Sequence, residues 1–213
     1  MILDSNVLHC KDCIVELESE HECDVCIENA KPKKTGLKNF IEPFFERQVK
    51  EMIDGIDVTL TNNNFHLCAL ALCTYTEVLG GVVTGNLKQQ RKSKSNFEAF
   101  LPYLGKKYVT LNEELKKKKT SIYQEVRNKL VHEFSPRQSY GIWIQAKPND
   151  EQIGVEFLGD HLNFHLKEYY RDFKNAVEEY RQKVETNEDL FSKFMDVGVS
   201  IHRSNEDRFL KKI

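Results

Sequence analysis

The chain has 213 residues, 30% of them charged and 40% hydrophobic, with a formal net charge of -2. That length can enclose a sizeable core, and the balance is that of a globular protein rather than a disordered or membrane-spanning one. With so little net charge, any nucleic-acid surface must come from local clusters of Lys and Arg, because no bulk attraction to phosphate exists.

The opening Met-Ile-Leu-Asp has no basic stretch leading into an apolar run, so no secretory signal is expected and the cytoplasm is the working location. Residues 1–36 read as a module and its linker: they hold four of the six cysteines and end in the break Lys31-Pro32-Lys33-Lys34-Thr35-Gly36. Cys10-x2-Cys13 and Cys23-x2-Cys26 are separated by nine residues, a spacing that lets four thiolates converge on one tetrahedral zinc ion. Disulfides, free thiols and redox chemistry are the other readings, and a reducing cytosol favours the metal. The intervening loop is shorter than the roughly 15–20 residues of a zinc ribbon. Four thiolates leave no coordination position for substrate, so the zinc is expected to be structural and no catalytic metal is expected. His9 and His21 flank the knuckles as alternative ligands.

From residue 37 to 213 the pattern is that of a mainly α domain. Phe40, Phe44, Phe45, Val49, Met52, Ile53 and Ile56 recur at helical spacing. Asn62, Asn63 and Asn64 offer a cap for a helix from about Phe65 that Gly80-Gly81 or Gly85 weakens. This is the longest apolar stretch, but His66, Thr74, Thr76 and Glu77 interrupt it, so it reads as a core helix rather than a bilayer span, and no membrane partner is expected. Cys68 and Cys73 within it read as small core residues. A short helix over Ser95–Leu104 and a long helical region over Val109–Phe134 follow.

Between about 139 and 165 the texture changes to a period of two: Tyr140, Ile142 and Ile144, then Ile153, Val155 and Phe157, then Leu162 and Phe164. Pro148-Asn149-Asp150 and Gly159-Asp160 supply turns, which predicts a small antiparallel β-meander. Helical spacing returns over Lys167–Val184 and Glu188–Leu210, with Thr186 or Asn187 as the cap between them. Tyr169, Tyr170, Phe173 and Tyr180 resemble a stacking array for bases, but their helical spacing favours core packing.

The segment Tyr123–Phe134 carries the chemistry. On a regular helical wheel with Val126 at the origin, Ile122, Tyr123, Leu130 and Phe134 lie within about 80° and form the core stripe. Asn128 and His132 fall on the opposite face, Arg127 lies at the flank, and Val131 projects between Arg127 and Asn128, where an apolar residue predicts a covering partner such as a second subunit. Pro136 disfavours helix at Ser135, so the helix should stop near His132 to Phe134, where its dipole favours an imidazolium. An imidazole that titrates near neutrality shuttles protons, and a guanidinium grips phosphate. The bland reading is a solvated polar face with Glu125 and Glu133 as ion-pair partners.

The stretch Arg127-Asn128-Lys129-Leu130-Val131-His132, at the end of a long helix in a helical bundle, resembles the HEPN superfamily (higher eukaryotes and prokaryotes nucleotide-binding). Its hallmark is an Arg, four to six residues and a His, often with a polar residue directly after the Arg. The resemblance covers about Leu37 to Phe134, with the meander and the C-terminal helices as an extension. It implies a helical bundle that dimerises so that two motifs face one cleft. It also implies metal-independent endoribonuclease activity, as in a toxin or defence effector with an antitoxin or other protein partner. By carry-over His132 moves protons at the ribose 2′-hydroxyl or the leaving oxygen, Arg127 stabilises the scissile phosphate and Asn128 orients them. The other class of function is a non-catalytic RNA- or protein-binding module.

Lys129, Lys92 and Lys94 are the candidate contacts to RNA, within a wider set that includes Lys88, Arg91, Lys106, Lys107 and Lys116 to Lys119; Glu113, Glu114 and Glu125 dilute that field. No Gly-rich phosphate loop, HExxH or nucleophile elbow is present in the sequence.

Overall fold

The computed structural model describes residues 41–87, 89–132, 140–143, 153–158 and 161–197. The cysteine module, with Cys10, Cys13, Cys23 and Cys26, and its boundary at residue 36 lie outside the described residues. Within them the protein is mainly α with a small β insertion. A π-helical turn (Phe44–Val49) leads into α1 (Lys50–Thr61), followed by α2 (Phe65–Thr84), α3 (Ser93–Leu104) and α4 (Lys106–Lys117). A second π-helical turn (Tyr123–Asn128) runs directly into α5 (Lys129–His132). Strands β1 (Tyr140–Trp143), β2 (Val155–Leu158) and β3 (His161–His165) precede α6 (Leu166–Thr186), and residues 188–197 are again helical.

The long apolar helix α2 is the axis of the bundle. By length and composition alone it could cross a membrane, but here α1, α3, α6 and the Tyr123–His132 segment pack against it. Cys68, Ala69, Leu72, Cys73, Leu79 and Val82 are buried along it. The two internal glycines do not end the helix. A side chain at Gly80 would place its Cβ 1.7 Å from the backbone oxygen of Asn96, so the glycine is what lets α3 lie directly on α2. The helix stops at Gly85, which takes the left-handed conformation (φ 72°) common at helix ends. At the other end Asn64 occupies the capping position without making a side-chain cap, whereas Asn187 caps the last helix by accepting a 3.0 Å bond from the Leu190 amide.

The aromatic residues of α6 are core, as their spacing predicts: Tyr169, Phe173 and Tyr180 are fully enclosed and Tyr170 nearly so. Their hydroxyls tie elements together. Tyr169 meets Thr76 of α2 at 3.0 Å, and Tyr170 donates to Asp57 of α1 at 2.9 Å. Tyr108 of α4 donates to Asp172 of α6 at 2.7 Å and accepts from the Gly154 amide at 2.8 Å, linking helix, helix and β insertion through one phenol.

Two expectations are corrected. The single helical region predicted from Val109 is, as far as His132, two helical segments, because Lys119 adopts a positive φ (60°) and the chain restarts at Ser121. There the Ser121 hydroxyl accepts from the Gln124 amide at 3.3 Å, while the Asn112 side chain accepts from the Ile122 amide at 3.0 Å. The insertion is also not a meander. Strand order is β1-β3-β2, with β2 antiparallel to β3 as predicted but β1 parallel to β3. The central strand is the one whose Asn163, Phe164 and His165 are all buried. β1 joins its open edge rather than pairing with β2.

Candidate functional site

The motif begins in the π-helical turn and ends in α5. A π turn is wider than an α turn, so the regular 100° wheel does not hold across Tyr123–Asn128, and the angular separation of Arg127 and His132 read from it does not carry over. The Phe44–Val49 segment has the same geometry elsewhere, so the wide turn is not unique to the motif. Tyr123, Val126 and Leu130 face the core and anchor the segment. His132 is the last described residue of α5, and its side chain lies outside what the structure describes.

Arg127 is held from α2. Its Nε lies 3.1 Å from Oε2 of Glu77, with the two side chains 23% and 18% exposed. Both atoms are shielded from solvent, yet the approach is off the N–H axis, so the contact is an ion pair without a well-formed hydrogen bond. The guanidinium carbon also sits 5.5 Å from the centre of the Tyr123 ring, within reach of a cation–π attraction. Beneath it Cys73 is fully buried, and burial pushes its thiol far above the ordinary range, with the Arg127 charge opposing this in part. Cys73 is therefore a protonated packing residue, as its place in the apolar helix implies.

Near the other end of the motif, His66 of α2 places Nε2 3.4 Å from the Leu130 carbonyl oxygen. His66, Cys73 and Glu77 are spaced i, i+7 and i+11, which brings them within about 40° of one another on α2. One face of α2 thus meets the motif at Arg127 and at Leu130. Glu77 and His66 were not singled out as site residues from sequence. The signal for Glu77 was present: it is the only Asp, Glu, Lys or Arg between Phe65 and Thr84, and a lone carboxylate in an apolar helix requires a partner.

Asn128 is partly exposed. Lys129 is ion-paired with Glu125, whose other oxygen accepts from Thr120 at 2.6 Å. Burial pushes the Glu125 carboxyl up, but the hydrogen bonds from Lys129 and Thr120 outweigh it and hold it below the usual range. Glu125 is thus engaged with Lys129, not with Arg127. Lys92 and Lys94 are exposed at the start of α3. Lys94 donates to Gln124 at 3.2 Å, which sets one ammonium directly beside the motif segment. Lys116 is paired with Glu98 at 2.7 Å, so part of the lysine-rich surface is neutralised locally.

Two large apolar side chains flank this region in the open: Val131 is 40% exposed and Leu67 46%. They follow directly the two residues, Leu130 and His66, that touch each other. No group of three or more potential metal ligands occurs among the described residues. Comparison with family models, curated proteins and solved structures gave no match.

Proposed function

We propose that the protein is a metal-independent endoribonuclease of HEPN type, acting as a homodimer with Arg127, Asn128 and His132 at a composite site. The observation that carries this reading is the setting of Arg127. It is a partly accessible side chain, paired with Glu77, in a helical segment that carries an imidazole-bearing residue five positions on. The resemblance in sequence supplies the chemistry. The ribose 2′-oxygen attacks phosphorus as its proton passes to a base. The bond from phosphorus to the 5′-oxygen breaks, and that oxygen is protonated as it leaves. The products are a cyclic phosphate end and a free 5′-hydroxyl. An imidazole from each motif allows one to accept and the other to donate the proton, and the guanidinium stabilises the charge on the phosphorane. Lys94, Lys92 and Lys129 would hold flanking phosphates, each contributing a salt-sensitive term.

Purified protein incubated with RNA in EDTA tests this directly. Cleavage leaving cyclic phosphate ends, reduced about a hundredfold or more in His132→Ala and in Arg127→Ala, is the expected result, since single acid–base or charge-stabilising groups are worth about 10²–10⁴ in rate. Cleavage equal in wild type and both variants would remove the reading. The second reading, a non-catalytic RNA- or protein-binding module, predicts binding without turnover. The zinc-knuckle reading of Cys10, Cys13, Cys23 and Cys26 is part of the same proposal. It predicts one zinc per chain by elemental analysis, lost on Cys10→Ser.

A further inference from the structure

Glu77 lies on a different helix from the motif and belongs to no part of its sequence pattern, yet it is the only described residue that pairs with the Arg127 charge. Three features define how it does so. Its closest approach to the guanidinium is at Nε, the nitrogen nearest the chain. The centre of the Tyr123 ring lies 5.5 Å from the guanidinium carbon, within reach of a cation–π attraction. No hydrogen bond from either terminal nitrogen to a described residue is formed. A guanidinium whose carboxylate partner lies beside Nε keeps its terminal donors for an oxyanion, and their fork geometry suits two phosphate oxygens at once.

We infer that Glu77 is a positioning residue for Arg127, its charge holding the guanidinium from the Nε side so that the two terminal nitrogens face the scissile phosphodiester; this rests on the ribonuclease reading for the identity of the anion. A consequence separates the role from a simple structural one. The Glu77 carboxylate is itself repelled by the phosphate that Arg127 binds, so it weakens ground-state association while fixing the geometry needed in the transition state. Removing its charge should therefore move binding and turnover in opposite directions.

The experiment uses the full chain and two ligands: a mixed-sequence 2′-O-methyl RNA, which has no 2′-hydroxyl to attack, and its unmodified counterpart. Wild type, Glu77→Gln, Glu77→Asp, Arg127→Ala, the Glu77→Gln/Arg127→Ala double variant and the surface control Glu178→Gln are compared, with circular dichroism verifying that each is folded. Glu77→Gln is expected to bind the 2′-O-methyl RNA about threefold tighter and to cleave the unmodified RNA with kcat about tenfold lower. Glu77→Asp should recover part of kcat, and the binding gain should vanish in the double variant, the signature of two coupled residues. The inference is overturned if Glu77→Gln shifts binding no more than Glu178→Gln does, or if its effect persists unchanged without Arg127. Motif-dependent cleavage with independent effects leaves the ribonuclease reading intact and removes the role of Glu77. Coupled binding in a protein that does not cleave removes the ribonuclease reading and keeps the presentation of Arg127 to an anion.

Discussion

At the scale of single residues, this protein concentrates its polar commitments on a few buried groups that each serve two partners. Tyr108 is the clearest: one hydroxyl donates to Asp172 and accepts from the Gly154 amide. Burial pushes that phenol well above its ordinary range, and the nearby Asp172 adds to the shift, so it stays protonated and can donate. Tyr108→Phe keeps the ring and removes the link. Each orphaned partner costs about 1–3 kcal/mol when it stays buried, so the urea midpoint should fall with little change in slope. A midpoint equal to wild type would mean that water replaces the hydroxyl at no cost. Glu77 obeys the same logic in a different place. A charge on an apolar helix is tolerated because a second helix returns the opposite charge to it.

At the scale of elements, the contact between α2 and α3 depends on the absence of a side chain. Alanine is favoured over glycine in a helix by about 1 kcal/mol, but at Gly80 the added carbon would meet the Asn96 carbonyl oxygen at 1.7 Å, and backbone cannot move aside as a flexible side chain would. Overpacking of this kind costs about 1–3 kcal/mol or more, so Gly80→Ala should be clearly destabilising. Gly55→Ala provides the contrast: its new carbon would come no closer than 3.8 Å to Tyr75, and the intrinsic preference should leave it neutral or up to about 1 kcal/mol more stable. Thermal unfolding of the two variants side by side checks both signs. The break before the motif is an element-scale feature as well. Ser121 and Gln124 restart the helix after Lys119, which lets Tyr123–His132 take its own course against α2 instead of continuing the axis of α4.

At the scale of the whole molecule, the proposed function requires two copies of the chain. Val131 and Leu67, both substantially exposed, border the contact between His66 and Leu130. Burying a side chain such as valine is worth roughly 1.5–3 kcal/mol, and a charge in its place would oppose association. Light scattering should give a dimer for wild type and a shift toward monomer for Val131→Glu, with cleavage lost in parallel because each composite site draws on both motifs. A wild-type protein that remains monomeric at working concentration would contradict the composite arrangement.

Local patterning was enough to recover the helical class, the apolar core helix, the packing role of Tyr169, Tyr170, Phe173 and Tyr180, and the exposure of Val131, because periodicity and side-chain chemistry act within a few residues of chain. The Ser121–Gln124 restart is also written locally, as a Ser followed three residues later by Gln just after a lysine run. Other features depend on residues far apart in sequence. The parallel placement of β1 beside β3, the approach of Asn96 to Gly80, and above all the pairing of Glu77 with Arg127 arise when separate elements pack, and no local spacing encodes which partner arrives. The charge of Arg127 was legible from the chain alone; that Glu77 of another helix meets it, closest at Nε, was decided by the tertiary fold.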